Sequence, residues 1–164
     1  MSEYAVNKKY ALARALGNAL LAKNATVCTV ESCTGGGIAF AITDVAGSSA
    51  WINQSWVTYS NHAKHDLVGV NMQTLEQHGA VSEEVVREMA EGGRKAAHAD
   101  YSVAVSGIAG PSGGSADKPV GLVHFAIASE ESVIHFKRIF SGNRQEIRDK
   151  AIIHALEKLN ACLV

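Results

Sequence analysis

The chain has 164 residues with a formal net charge of -1, and 47% of its residues are hydrophobic, 19% charged and 6% aromatic. That is the length of one ordinary domain with a real core, and the composition excludes collagen-like, proline-rich and highly charged disordered chains. The balanced charge supplies no overall positive field and no basic run stands out, so neither nucleic acid nor an anionic membrane is expected as a partner.

Three cysteines, Cys28, Cys33 and Cys162, are an odd number and cannot all pair. The first ten residues are too polar for a signal-peptide core, and no apolar run reaches the roughly 18 residues a membrane span needs. Reduced thiols in a cytoplasmic protein are therefore expected. Fifteen glycines stand against two prolines, and seven of them fall in two short stretches: Gly35, Gly36 and Gly37, then Gly107, Gly110, Gly113 and Gly114. Glycine concentrated in this way brings backbone close to something.

Leu12, Leu16, Ala19 and Leu20 recur at helical spacing among Lys8, Lys9, Arg14 and Asn18, which predicts an amphipathic helix over 5–21. Residues 26–30 are short and rich in β-branched side chains, a buried strand. A turn over 31–34 leads to a helix over 36–45, with Ser32 or Thr34 near its N-cap and Gly47 closing it. A second strand is predicted over 51–59, then short helices over 61–68 and 72–78. Ser82 opens the next helix, with Glu83 and Glu84 against its positive end and Val85, Val86 and Met89 on its apolar face. A strand over 101–105 leads into a long loop over 106–118, and strands over 122–128 and 133–140 form a tight antiparallel hairpin before a last helix over 144–159. This order predicts a single α/β domain over 1–164, a three-layer α/β/α sandwich with a mixed central sheet.

Ligand sites in open α/β sheets lie beyond the carboxyl ends of strands, and both glycine clusters directly follow strands, so they are expected to face one cavity. Ser32 sits at that edge, before the N–H groups of Cys33, Thr34, Gly35 and Gly36, which would suit a phosphate or a developing oxyanion at a helix N-terminus. Simple helix capping explains the same residues. Neither standard glycine-rich phosphate motif nor an esterase elbow is present, so a nucleophilic serine would need another kind of base. Lys64, about one turn beyond Tyr59, could serve only if neutral. Bringing a lysine from about 10.4 to near 7 disfavours the ammonium by roughly 4 to 5 kcal/mol, which demands a closed pocket. His62 and His65 could share a metal, although no further ligand completes a set, and a Cys33 nucleophile paired with His62 is also open. Arg144 and Arg148 lie one turn apart at a helix start, where a bound anion or a pairing with Glu146 would relieve their conflict with the dipole.

Six blocks in order resemble the C-terminal domain of the CinA family, and within it the stand-alone nicotinamide-nucleotide amidohydrolases. They are Glu-Ser-Cys-Thr-Gly-Gly at 31–36, Thr-Asp-Val-Ala-Gly-Ser-Ser at 43–49, Tyr-Ser-Asn-His-Ala-Lys at 59–64, Gly-Ala-Val-Ser at 79–82, Ser-Gly-Ile-Ala-Gly-Pro at 106–111 with Lys-Pro-Val-Gly at 118–121, and Ser-Gly-Asn-Arg at 141–144. The resemblance implies hydrolysis of nicotinamide mononucleotide to nicotinate mononucleotide and ammonia, with no cofactor and no metal. It implies a nucleophile at Ser32 with Lys64 and Tyr59 as partners. On that reading Cys33, Thr34, Gly35 and Gly36 receive the oxyanion, while Ser106, Gly107, Gly110 and Arg144 hold the ribose phosphate. Family members with an added N-terminal domain carry a metal-dependent pyrophosphatase activity, for which this chain is expected to lack room. A catalytically silent nucleotide-binding module and an amidase for another amide-bearing nucleotide are the competing readings, and the presence of Ser32, Tyr59 and Lys64 together argues against the first. A homo-oligomer is expected, with Trp51, Trp56 and the late hairpin serving as either interface or core.

Overall fold

The computed structural model describes residues 3–163. In chain order these form α1 (Glu3–Lys23), β1 (Val27–Glu31), α2 (Gly37–Thr43), a 3-10 turn (Ser48–Ala50), β2 (Ile52–Val57), α3 (Asn61–Val68), α4 (Met72–His78), α5 (Glu83–Ala97), β3 (Tyr101–Gly107), β4 (Leu122–Ala128), β5 (Val133–Ile139) and α6 (Arg144–Cys162). The sheet order is β2-β1-β3-β4-β5. β1 runs parallel to both β2 and β3, while β4 and β5 continue as an antiparallel pair. The expected mixed sheet is present, and the expected sandwich with it, because α1, α2 and α6 pack on one face while α5 with α3 and α4 covers the other.

Side-chain alternation explains why two cores form on one sheet. Val27, Val103, Val105, Val123, Phe125 and Ile127 point to α1, α2 and α6. Val30, Ala104, Ala126 and Ala128 point to Val85, Val86, Met89 and Ala90 of α5. Strand residues two apart share a face, and the second set is dominated by alanine, so α5 lies close against the sheet. Trp51 belongs to the core, 4% exposed over Gly17 of α1, and Trp56 is half-buried. Exposed Ile134 and Ile139 remain on edge strand β5. No helix among the described residues is long and apolar enough to cross a membrane.

One close approach fixes the helix that carries Lys64. At Gly92 of α5 an added Cβ would overlap the backbone carbonyl of Val68, the last residue of α3. Backbone cannot swing aside as a flexible side chain can. Gly92→Ala is therefore expected to destabilise the protein by about 1–3 kcal/mol in thermal unfolding and to lower activity by displacing α3.

Candidate active site

The carboxyl ends of β1, β2 and β3 lie side by side, and three segments leaving them build the site. After β1 the chain turns at Ser32, whose N–H donates to Val105 O at 3.0 Å and whose carbonyl accepts from Gly35 N at 3.0 Å. Gly35 and Gly36 adopt φ values of 59° and 88°, a left-handed geometry that costs a glycine little, and this admits the tight entry into α2. After β2 the Ser60 side chain caps α3 by accepting from Ala63 N at 3.0 Å. That cap sets the helical turn which sends Lys64 back under the sheet edge. After β3 the glycine-rich loop carries Ser106 and Gly107 past the same opening.

These segments enclose a cavity of about 220 Å³ lined by Ser32, Cys33, Tyr59, Lys64, Ser106, Gly107 and Arg144, with Ala80, Val81 and Ala109 completing the wall. Residues from both glycine-cluster loops thus meet at one opening, as the strand-end argument expects. Thr34, Gly35, Gly36 and Gly110 are not on that wall.

Lys64 is the buried cation on that wall. It is only 1% exposed, and its Nζ lies 3.2 Å from Ser32 Oγ, 2.8 Å from Thr58 O and 3.5 Å from Tyr59 O. No carboxylate pairs with it among the described residues. Burial without a counter-ion penalises the ammonium and lowers Lys64 from 10.5 to about 8. Only a Cys33 thiolate would oppose this, and burial pushes the Cys33 thiol up to about 12, so at neutral pH it carries no charge. A neutral amine has two protons and one lone pair. In that form, protons on the Thr58 and Tyr59 carbonyls would leave the lone pair for the Ser32 hydroxyl, the arrangement a general base requires, whereas as an ammonium Lys64 donates to all three oxygens.

The cysteine alternative fares differently. Cys33 lines the cavity, yet its thiol is held protonated and His62 is exposed on the outer side of α3. His65 uses Nδ1 on Val70 O at 2.8 Å.

The structure corrects the expected cap of α2. Neither Ser32 nor Thr34 caps it: the N-cap is Gly36, with no side-chain hydrogen bond of its own. The side chain of Glu31 takes the role from β1, accepting from Ile38 N at 3.0 Å and Ala39 N at 2.8 Å. The positive end of α2 is therefore already occupied by a carboxylate and is not the anion site that the glycine run suggested. The Gly35 amide is also committed, to Ser32 O. The amides of Cys33 and Thr34 donate to no backbone carbonyl or side-chain oxygen among the described residues, and they follow Ser32 directly. Thr34 is fully buried off the cavity wall and its hydroxyl donates to Glu31 at 2.6 Å, which leaves Cys33 as the residue whose amide borders the cavity beside Ser32.

Tyr59 is 61% exposed and its hydroxyl accepts from Arg144 Nη2 at 3.1 Å, with no contact to Lys64 or Ser32 through that hydroxyl. The Lys64–Ser32 contact is direct and does not run through the Tyr59 hydroxyl. Arg144 also donates to Gly110 O at 2.7 Å, which places Gly110 behind the arginine and not on the cavity. Ser106 donates its hydroxyl to Ala80 O at 2.7 Å. The two arginines part company: Arg144 reaches the cavity, while Arg148 donates to Thr34 O at 3.0 Å and buttresses the turn after Ser32. Glu146 pairs with neither, being spent in a capping box with Asn143 at the start of α6.

Comparison with known proteins matches the chain to a family. The CinA C-terminal domain model matches residues 9–163. A protein of Shigella flexneri named nicotinamide-nucleotide amidohydrolase PncC is 56% identical over 149 residues, covering 90% of each chain. A protein of the same name from Enterobacter agglomerans is 57% identical over 143 residues, 87% of each. A CinA-like protein of Endomicrobium trichonymphae is 49% identical over 153 residues, which are 93% of this chain and 36% of that longer one. Among solved structures, a competence/damage inducible protein from Agrobacterium tumefaciens superposes with a TM-score of 0.91 at 46% identity, covering 94% of each chain. With the motif blocks, the fold and near-complete coverage in agreement, the chain belongs to the CinA C-terminal domain family.

Proposed function

We propose that this chain is a nicotinamide-nucleotide amidohydrolase that converts nicotinamide mononucleotide to nicotinate mononucleotide and ammonia through a serine–lysine pair. The observation that carries the chemistry is Lys64 Nζ, buried without a counter-ion, 3.2 Å from Ser32 Oγ. The substrate rests on likeness to proteins named for that activity.

In this mechanism neutral Lys64 takes the Ser32 proton as Oγ attacks the carboxamide carbon. The tetrahedral oxyanion is received by the Cys33 amide, which is preorganised beside the nucleophile. Lys64 then gives its proton to the amide nitrogen, the C–N bond breaks, and ammonia leaves an ester on Ser32. Water, deprotonated by Lys64, attacks that ester; the proton returns to Ser32 Oγ and the acid leaves as its carboxylate. Arg144, steadied by Gly110 O and Tyr59, offers a cation at the mouth for the phosphate, and Ser106 and Gly107 bound the ribose side. Tyr59 orients Arg144 in this reading. A cytoplasmic setting fits the three free cysteines, and the apolar residues left exposed on β5 support a homo-oligomer.

Purified protein supplied with nicotinamide mononucleotide and no added metal is expected to release ammonia and nicotinate mononucleotide; absence of both products would overturn the proposal. Arg144→Ala is expected to raise KM about 10- to 100-fold with a smaller change in kcat, the loss of a charge-assisted contact to phosphate. An unchanged KM would remove Arg144 from substrate binding.

A further inference from the structure

We infer that Glu31 is a positioning residue for the amidase reaction, holding the Ser32 turn and the strand end that anchors Lys64 in register with each other. The inference rests on the serine–lysine reading above. Its basis is the number of bonds converging on one fully buried residue.

Glu31 ends β1, and by strand alternation its side chain points, like Val27 and Thr29, to the face covered by α2. Each carboxylate oxygen takes one hydroxyl and one amide. Oε1 accepts from Thr29 Oγ1 at 3.0 Å and Ala39 N at 2.8 Å; Oε2 accepts from Thr34 Oγ1 at 2.6 Å and Ile38 N at 3.0 Å. A group that accepts four times and donates nowhere has the bonding of a carboxylate. Its partners bracket the catalytic turn: Thr29 precedes Ser32 in β1, Thr34 lies within the turn, and Ile38 and Ala39 open the helix beyond it. Ser32 is the residue suspended between these anchors.

The backbone of Glu31 serves the other half of the pair. Its carbonyl accepts from Thr58 N at 2.8 Å, and the Thr58 carbonyl accepts from Lys64 Nζ at 2.8 Å. One residue therefore places the nucleophile through its side chain and the lysine's closest partner through its main chain. Glu31 touches neither substrate nor reacting atoms in this account. Its effect is on geometry, and displacements of the order of 1 Å at a reacting pair can cost about 100-fold in rate.

Glu31→Gln keeps the side-chain shape, yet its NH2 cannot accept from the amide and hydroxyl that one carboxylate oxygen now serves. Thr34→Val removes a single donor and leaves the carboxylate and the Thr34 amide in place. In the purified proteins, kcat of Glu31→Gln per folded molecule is expected to fall about 10- to 100-fold with KM near wild type, and Thr34→Val to fall less in the same direction. The pH midpoint of the rate, set by Lys64, is expected to stay where it is. Folded protein is counted by circular dichroism and thermal melting, which separates lost geometry from lost fold. Wild-type kcat per folded molecule in Glu31→Gln overturns the inference; if that variant does not fold, wild-type kcat in folded Thr34→Val does so. Ser32→Ala measured in parallel keeps the two ideas apart. An active Ser32→Ala defeats the serine reading and this inference with it, whereas an inactive Ser32→Ala beside unimpaired Glu31 and Thr34 variants defeats the inference alone.

Discussion

Replacing Ser32 by alanine is expected to lower kcat by about 10⁴-fold or more while leaving the fold and substrate affinity in place, because the nucleophile of a concerted unit has no partial substitute. The structure explains why the change is clean. The Ser32 hydroxyl contacts Lys64, while the residue's place in the turn is set by backbone bonds to Val105 and Gly35 that alanine retains. The neighbouring thiol cannot take over, since burial pushes Cys33 up to about 12 and leaves almost no thiolate at neutral pH. Steady-state kinetics beside a thermal melt checks this. Residual activity within tenfold of wild type would mean that another group attacks the amide.

Lys64→Met is expected to separate activity from stability. Removing a general base costs about 10²- to 10⁴-fold in kcat. Stability moves the other way. Burial lowers Lys64 from 10.5 to about 8, so from pH 8 to 10.5 the unfolded chain binds more protons here than the folded one, and folding stability rises with pH across that window. Below pH 8 the penalty of a buried ammonium is present in full, about 3 kcal/mol for a shift of this size. Methionine fills the space without the charge and leaves two carbonyls with one partner fewer, which offsets part of the gain. The variant at pH 7 is therefore expected to melt no lower than wild type and to lose the rise in stability between pH 8 and 10.5. For the wild type, kcat/KM is expected to climb through about pH 8 as the base becomes neutral. A pH-independent rate from 6 to 9 would contradict a lysine base.

Much of this site is legible in the sequence, for reasons specific to each residue. The β-branched run before Ser32 and the alternating sets of β3 and β4 announce strands, and glycines just past strand ends mark the cavity's edge. The two glycine clusters predict backbone brought close to one cavity. The structure divides their labour: Gly107 borders the cavity, Gly110 braces Arg144 through its carbonyl, and Gly35 and Gly36 shape a turn whose helix end is already filled. Glu31 is the missed residue. Read in sequence it is a turn residue before Ser32, and an acidic residue seven positions ahead of an amide it caps leaves no local capping signature. Strand alternation held the signal, since Val27, Thr29 and Glu31 share a face. Tyr59 shows the opposite limit: the resemblance makes it a partner of Ser32 and Lys64, whereas in the structure its carbonyl lies near Lys64 and its hydroxyl goes to Arg144. Rotation about a loop residue is not encoded in spacing.

The central claim is that Ser32 carries the substrate's acyl group during turnover. Rapid acid quench of wild-type protein mixed with nicotinamide mononucleotide, followed by peptide mass spectrometry, tests it directly. The account predicts a nicotinate mononucleotide ester on the peptide containing Ser32, formed at a rate no slower than ammonia release and absent from Ser32→Ala. Normal ammonia release with no adduct at Ser32 at any quench time, or an adduct on Cys33, would contradict it.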